Sequence, residues 1–248
     1  MAKLIFVTGT DTGVGKTVIT ASFLKHLRRS GVHALAVKPF CSGGRDDVWH
    51  LLRAQDKELT EGECNPFYFD APLAPAIAAR QQGIQVSIRQ IGSHIRRIRR
   101  RCDVLLVEGA GGLLVPLGAN YTVLDLITEL GTDGVIIVSA NRLGTVNHTL
   151  LTSRVAMDAM SKTTRFEIVL NHPGSTSDAS SFSNQELLRR WLPKVPISTM
   201  PYLGRNPFGN QALKRGEKKF EKVLARILRS AIFAARQTRR VKKSYKTR

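Results

Sequence analysis

Short apolar runs alternate with helical patterns along this chain. The runs fall at 4–8, 33–38, 104–108, 135–140, 166–171 and 197–201, the last weakened by a proline just before it. Most are apolar at every position instead of every second one, which suits strands buried on both faces of a parallel sheet. Apolar residues at helical spacing predict helices over about 15–29, 48–54, 86–101, 146–160 and 184–191. Strand-helix alternation with short connections predicts an α/β fold, a mostly parallel central sheet with helices on both faces and right-handed crossovers. No internal repeat or low-complexity linker interrupts it, and the polar stretch 174–183 reads as a loop. Glycine-rich polar residues follow several strands at their C-terminal ends, the edge where open parallel sheets bind ligands.

Composition narrows the class. With 248 residues and 42% hydrophobic content, the chain can bury a sizeable core. Three scattered cysteines (Cys41, Cys64, Cys102) fit neither a disulfide scaffold nor a zinc ribbon, and point to a reduced, cytoplasmic compartment. No apolar run approaches the roughly 18 residues of a membrane span, and the first apolar stretch is too short for a signal peptide. The net charge is +19, and residues 214–248, with fourteen basic and two acidic side chains, carry +12 of it. Most of the excess is therefore an appendix to a domain over 1–213. Apolar residues between 220 and 232 recur at helical spacing, so the appendix reads as an amphipathic C-terminal helix of the same domain with a basic end. Nucleic-acid or acidic-membrane contact through 237–248 is the less favoured alternative. Five arginines at 96–101 crowd a helix end, where cations are favoured and a solvated face is the usual meaning.

The strongest motif is Gly9-Thr10-Asp11-Thr12-Gly13-Val14-Gly15-Lys16-Thr17, between the first strand and the first helix. Its backbone N–H groups, from Asp11, Thr12, Gly13, Val14 and Gly15 onward, can turn inward on a phosphate chain, aided by the helix N-terminus. Lys16 would reach the β and γ phosphates of ATP, and the Thr17 hydroxyl would ligate Mg²⁺. The first glycine stands one residue further from Gly-Lys-Thr than in the common form. Lys38 leaves the second strand within Lys38-Pro39-Phe40-Cys41-Ser42-Gly43, where it could face the γ-phosphate opposite Lys16. Asp46 and Asp47 open the next helix, where N-capping is the better reading for one of them. Glu108 ends the third strand before Gly109-Ala110-Gly111-Gly112, a natural place for a Mg²⁺ ligand or a water-positioning group. The stretch 65–75, with Asn65, three prolines and three aromatics, reads as a stiffened loop whose packing explains it.

Taken in order, these motifs resemble the dethiobiotin synthetase family. The matching residues are Gly-Thr-Asp-Thr-x-Val-Gly-Lys-Thr (9–17), Lys-Pro-x-x-Ser-Gly (38–43), Asn-Pro-x-x-Phe-x-x-Pro-x-x-Pro (65–75) and Val-Glu-Gly-Ala-Gly-Gly (107–112). Later come Leu-Gly-Thr-Val-Asn-His-Thr-Leu-Leu-Thr (143–152), Asn171 and Pro-Tyr-Leu-Gly (201–204). The unusual loop spacing is the family's own. The resemblance implies a P-loop enzyme that joins 7,8-diaminopelargonate and CO₂ with MgATP to give dethiobiotin, ADP and phosphate, through a carbamate and a carbamic-phosphoric mixed anhydride. It implies Thr17, Asp47 and Glu108 as the metal set, and Lys16, Lys38 and Ser42 as catalytic. Thr12, Lys38, Ser42, Gly111, Gly112 and Asn147 would meet the substrate. Asn171 with Pro201, Tyr202 and Leu203 would hold the adenine. Asn147 would hold the substrate's carboxylate end at a homodimer interface. Position 13 is glycine where some members are acidic, and the stretch between Ser42 and Asp47 is short. Cys41 reads as a small buried residue, not a nucleophile.

Two other readings compete. An amide-forming cobyrinic-acid-type synthetase would need a glutaminase portion for which no room remains. A partition-type ATPase acting on DNA would suit the basic end, but such proteins usually carry a second lysine early in the phosphate loop, where this chain has Thr10-Asp11.

Overall fold

A computed structural model describes residues 2–175 and 179–209. The basic segment 214–248, and the helix expected in it, lie outside the described residues. The elements run β1 (Lys3–Gly9), α1 (Lys16–Arg29), β2 (Ala34–Val37), β3 (Phe40–Ser42), α2 (Asp46–Ala54), α3 (Glu61–Cys64), β4 (Phe67–Phe69), α4 (Pro75–Gln81) and α5 (Ile88–Arg99). They continue with β5 (Val104–Glu108), α6 (Val123–Leu130), β6 (Gly134–Ala140), α7 (Thr145–Ala159), β7 (Arg165–Asn171), a 3₁₀ turn (Ala179–Phe182), α8 (Asn184–Trp191) and β8 (Ile197–Met200).

Six strands form one parallel sheet in the order β2-β5-β1-β6-β7-β8, so all their C-terminal ends share one rim. The residues of β1 beyond Lys3 and all of β5 are buried, as expected of strands covered on both faces. From β1 the chain leaves toward β2, whereas from β5 it leaves toward β6. Right-handed crossovers therefore place α1 on one face and α6 on the other. The crevice above the adjoining ends of β1 and β5 is thus a switch point, where such sheets bind ligands. The register sets Val7 beside Glu108 and carries the phosphate loop directly onto that crevice.

The sheet's β2 edge is closed by a side chain. Gln55, fully buried, accepts from Ala36 N at 2.9 Å and donates to Ala36 O at 3.0 Å, imitating a neighbouring strand. Several features differ from the sequence reading, the short helix α3 among them. The stretches at 40–42 and 67–69 pair as a small parallel ribbon instead of remaining loop. Helix α6, which the sequence reading did not predict, opens on a capping box in which Thr122 accepts from Asp125 N and Asp125 accepts from Thr122 N.

Candidate active site

The phosphate loop runs from Gly9 into α1. Gly15 takes φ +97°, a left-handed conformation that favours glycine, and a Cβ there would sit 2.2 Å from Asn171 Nδ2. Asn171, at the end of β7, donates to Val14 O at 2.9 Å and so braces the loop from behind. Thr12 N donates to Asp11 Oδ1 at 2.7 Å, and Lys16 Nζ donates to Asp11 O at 2.8 Å. The glycine stretch after β5 packs on this loop. A Cβ on Gly112 would meet Thr10 O and Gly9 O at 3.4 and 3.5 Å, and one on Gly111 would lie 3.5 Å from Thr12 Oγ1.

Charges converge beside the loop. Lys38 Nζ donates to Glu108 Oε1 at 2.6 Å and pairs with Asp47 Oδ2 at 2.9 Å. Thr17 Oγ1 donates to the same Glu108 Oε1 at 2.7 Å. Lys16, Thr17, Lys38 and Glu108 are all buried, and Asp47 is half-exposed. Burial alone would lower the Lys38 ammonium, but Glu108 and Asp47 outweigh it and hold Lys38 above the ordinary lysine range. Burial would raise Asp47, yet the charge of Lys38 and its hydrogen bond hold that carboxyl below the usual range. Lys16 goes the other way: burial, then the positive charge of Lys38, bring it down to about 8. Cys41 is buried, as expected, and burial chiefly pushes its thiol up to about 11.

The sequence placed one carboxylate as a helix cap, and this is corrected. Helix α2 begins at Asp46, with Arg45 at the cap position and no side-chain capping bond. Asp47 sits instead in the first turn, free to reach Lys38. Glu108 Oε2 is buried and has no hydrogen-bond partner among the described residues. A buried carboxylate oxygen left over, beside a second carboxylate and a hydroxyl, is a hard-oxygen donor set suited to Mg²⁺. Among the described residues no three or more His, Cys, Asp or Glu group together as a metal cluster, so this set rests on two carboxylates and a hydroxyl.

The other expected residues lie around this centre. Ser42 Oγ donates to Leu73 O at 2.8 Å, tying the end of β3 to the 65–75 stretch. Asn147 is exposed on the first turn of α7, which follows β6 at the same rim. Pro201, Tyr202 and Leu203 are half-buried just after β8. The chain beyond them reaches α2, where Phe208 stacks on His50 with centroids 3.4 Å apart and planes 11° from parallel. Sequence reasoning missed this contact, and it missed that the buried Asn65 donates its amide to Lys38 O at 2.8 Å. Of the crowded arginines, Arg96 pairs with Glu129, Arg99 with Asp133 and Arg101 with Glu63, so much of that run is neutralised locally.

A parallel sheet, a strand-loop-helix phosphate cradle, two buried lysines and a metal-suited carboxylate define a P-loop nucleotide-binding enzyme. A family model described as an AAA domain matches residues 3–204. ATP-dependent dethiobiotin synthetase BioD of Anaeromyxobacter sp. (strain K) is 41% identical over 203 residues, 80% of this chain and 89% of that protein. The Bacillus subtilis (strain 168) protein of the same name is 40% identical over 197 residues, 77% of this chain and 84% of its own length. The chain belongs to the ATP-dependent dethiobiotin synthetase family. Among solved structures, a ParA family ATPase from Chlorobium tepidum TLS is similar with a TM-score of 0.56 at 16% identity, covering 89% of this chain and 92% of that one, a likeness of fold.

Proposed function

We propose that this chain is an ATP-dependent dethiobiotin synthetase. It would carboxylate 7,8-diaminopelargonate with CO₂ and close the ureido ring, forming ADP and phosphate. The observation that carries this reading is the placement of the Lys38 ammonium beside Glu108 and Asp47 at the mouth of the phosphate loop, in a chain of this family.

The chemistry follows from charge. One substrate amine attacks CO₂ and loses a proton, giving a carbamate. A carbamate oxygen then attacks the γ-phosphorus and ADP leaves. The second amine attacks the carbonyl of the resulting mixed anhydride, and phosphate departs with the oxygen that linked carbon to phosphorus. Carbamate and γ-phosphate are both anionic, so their approach needs fixed cations. Lys16 serves the phosphate chain, and Lys38 serves the carbamate and γ-phosphate. Thr17, Glu108 and Asp47 would hold Mg²⁺, which supplies further positive charge to the phosphates when bound. Thr12, Ser42, Gly111 and Gly112 would meet the substrate. Asn171 and the segment Pro201, Tyr202, Leu203 would hold the adenine.

Asn147 would take the substrate's carboxylate end at a homodimer interface. The exposed apolar Leu151 and Val155 further along α7 support a second copy there. Three free cysteines support a reduced, cytoplasmic setting, and no helix among the described residues is long and apolar enough to cross a membrane. The test is an omission assay: ADP release should require both the diamine and CO₂. Release that ignores the diamine and rises with DNA would favour the partition-type ATPase instead.

A further inference from the structure

Lys38 stands where the chain changes sheets, between the end of β2 at Val37 and the start of β3 at Phe40. Its neighbour Pro39 has no N–H to donate to any ladder. The peptide that carries the ammonium is therefore held by other means. Lys38 N donates to Cys64 O at 2.8 Å. The next residue along, Asn65, aims its amide back at the same turn. Asn65 Nδ2 lies 2.8 Å from Lys38 O, 3.4 Å from Pro39 O and 3.3 Å from Phe67 O. An amide nitrogen carries two hydrogens, so the short bond to Lys38 O is served first and the longer two share what remains.

The side chain is 4% exposed, and its Oδ1 is buried with no hydrogen-bond partner among the described residues. Burying an unpaired amide oxygen is unfavourable. An apolar residue of this size would fill the space without that cost. What asparagine adds is the pair of donors directed at the Lys38 turn. A lysine side chain has four flexible methylenes, so the placing of its ammonium depends on where its backbone is fixed.

We propose that Asn65 is a positioning residue for Lys38. It locks the carbonyl of residue 38 and so sets where the ammonium meets the reacting anions. Its amide faces the Lys38 turn and Phe67 O, so its effect on the reaction would run through Lys38. The proposal rests on the reading of Lys38 as the cation that serves carbamate and γ-phosphate.

A double-mutant cycle separates this role from general structural support. Asn65→Ala, Lys38→Ala and the double variant are compared by single-turnover rates with enzyme in excess, which reach slow variants, and by ATP affinity. Misplacing a catalytic group by about 1 Å can cost ~100-fold in rate. Asn65→Ala should therefore slow turnover about 10- to 100-fold while ATP affinity stays within about twofold. In the Lys38→Ala background the same change should cost less than about twofold. Equal fractional losses in both backgrounds, or a normal rate in Asn65→Ala, would overturn the proposal. If Lys38→Ala alone keeps its rate, the role of Lys38 falls and the proposal falls with it. Asn65→Leu keeps the volume and removes the donors. It carries the same cycle, with the same outcomes, should the alanine variant fold poorly.

Discussion

Replacing Gly15 by alanine tests the geometry of the phosphate loop. Two costs can be worked out separately. At φ +97° an L-residue suffers roughly 1–2 kcal/mol of steric strain. The new Cβ would also lie 2.2 Å from Asn171 Nδ2, so that side chain must turn away and give up its bond to Val14 O. A net hydrogen bond of this kind is worth about 0.5–1.5 kcal/mol. Together the variant should lose about 2–3 kcal/mol, a midpoint shift of about 1 M in urea for an ordinary slope. The two costs can be parted. Asn171→Ala alone should cost about 1 kcal/mol. Asn171→Ala in the Gly15→Ala background leaves the backbone strain and the same lost hydrogen bond, counted once. The double variant should then be more stable than the sum of the singles predicts, by about 1 kcal/mol. Urea unfolding of the four proteins, with ATP affinity alongside, measures this. A wild-type midpoint for Gly15→Ala, or strictly additive costs, would refute the geometry.

Two further outcomes are expected. Lys16 falls from the ordinary 10.5 to about 8 in the folded chain, chiefly by burial. Between those values the unfolded state holds the extra proton, so stability rises with pH across that window. The stability of the nucleotide-free protein relative to Lys16→Met should thus grow by about 3 kcal/mol from below pH 8 to above pH 10, and a flat difference would contradict the shift. Phe208→Ala removes the stack on His50 that anchors the chain just after 201–203, the proposed adenine-binding segment. Such a stack is worth about 0.5–1.5 kcal/mol, so the KM for ATP should rise roughly 2- to 10-fold with kcat nearly unchanged. A fall in kcat at constant KM would place Phe208 elsewhere in the reaction.

The parts of the site legible in the sequence are those built locally. Gly-Lys-Thr after an apolar strand announces its own turn, and Glu108 and Lys38 end apolar strands where polar side chains need a reason. The buried strands could be read because each is apolar throughout. What could not be read depends on partners far along the chain. Residues 40–42 and 67–69 form strands only because they meet each other. Gln55 looks like any surface glutamine until β2 proves to be an edge strand. Asn65 reads as one more polar residue before a proline, since its partner carbonyls belong to a turn 26 and 27 residues earlier. The cap expected at one of Asp46 and Asp47 failed for a local reason: a cap and a first-turn residue differ by one position, and sequence does not fix helix starts that closely. The capping box at Thr122 and Asp125, by contrast, carried a usable signal for α6.

At the centre of the account, an oxygen that entered as CO₂ attacks phosphorus and leaves attached to it. Single-turnover reaction with ¹⁸O-labelled CO₂ in ordinary water, quenched before the label exchanges, follows that atom. Mass analysis of the released phosphate should find one ¹⁸O per molecule, formed together with dethiobiotin. Phosphate whose new oxygen comes from solvent would mean that water attacks the nucleotide, and the site would then be one for ATP hydrolysis.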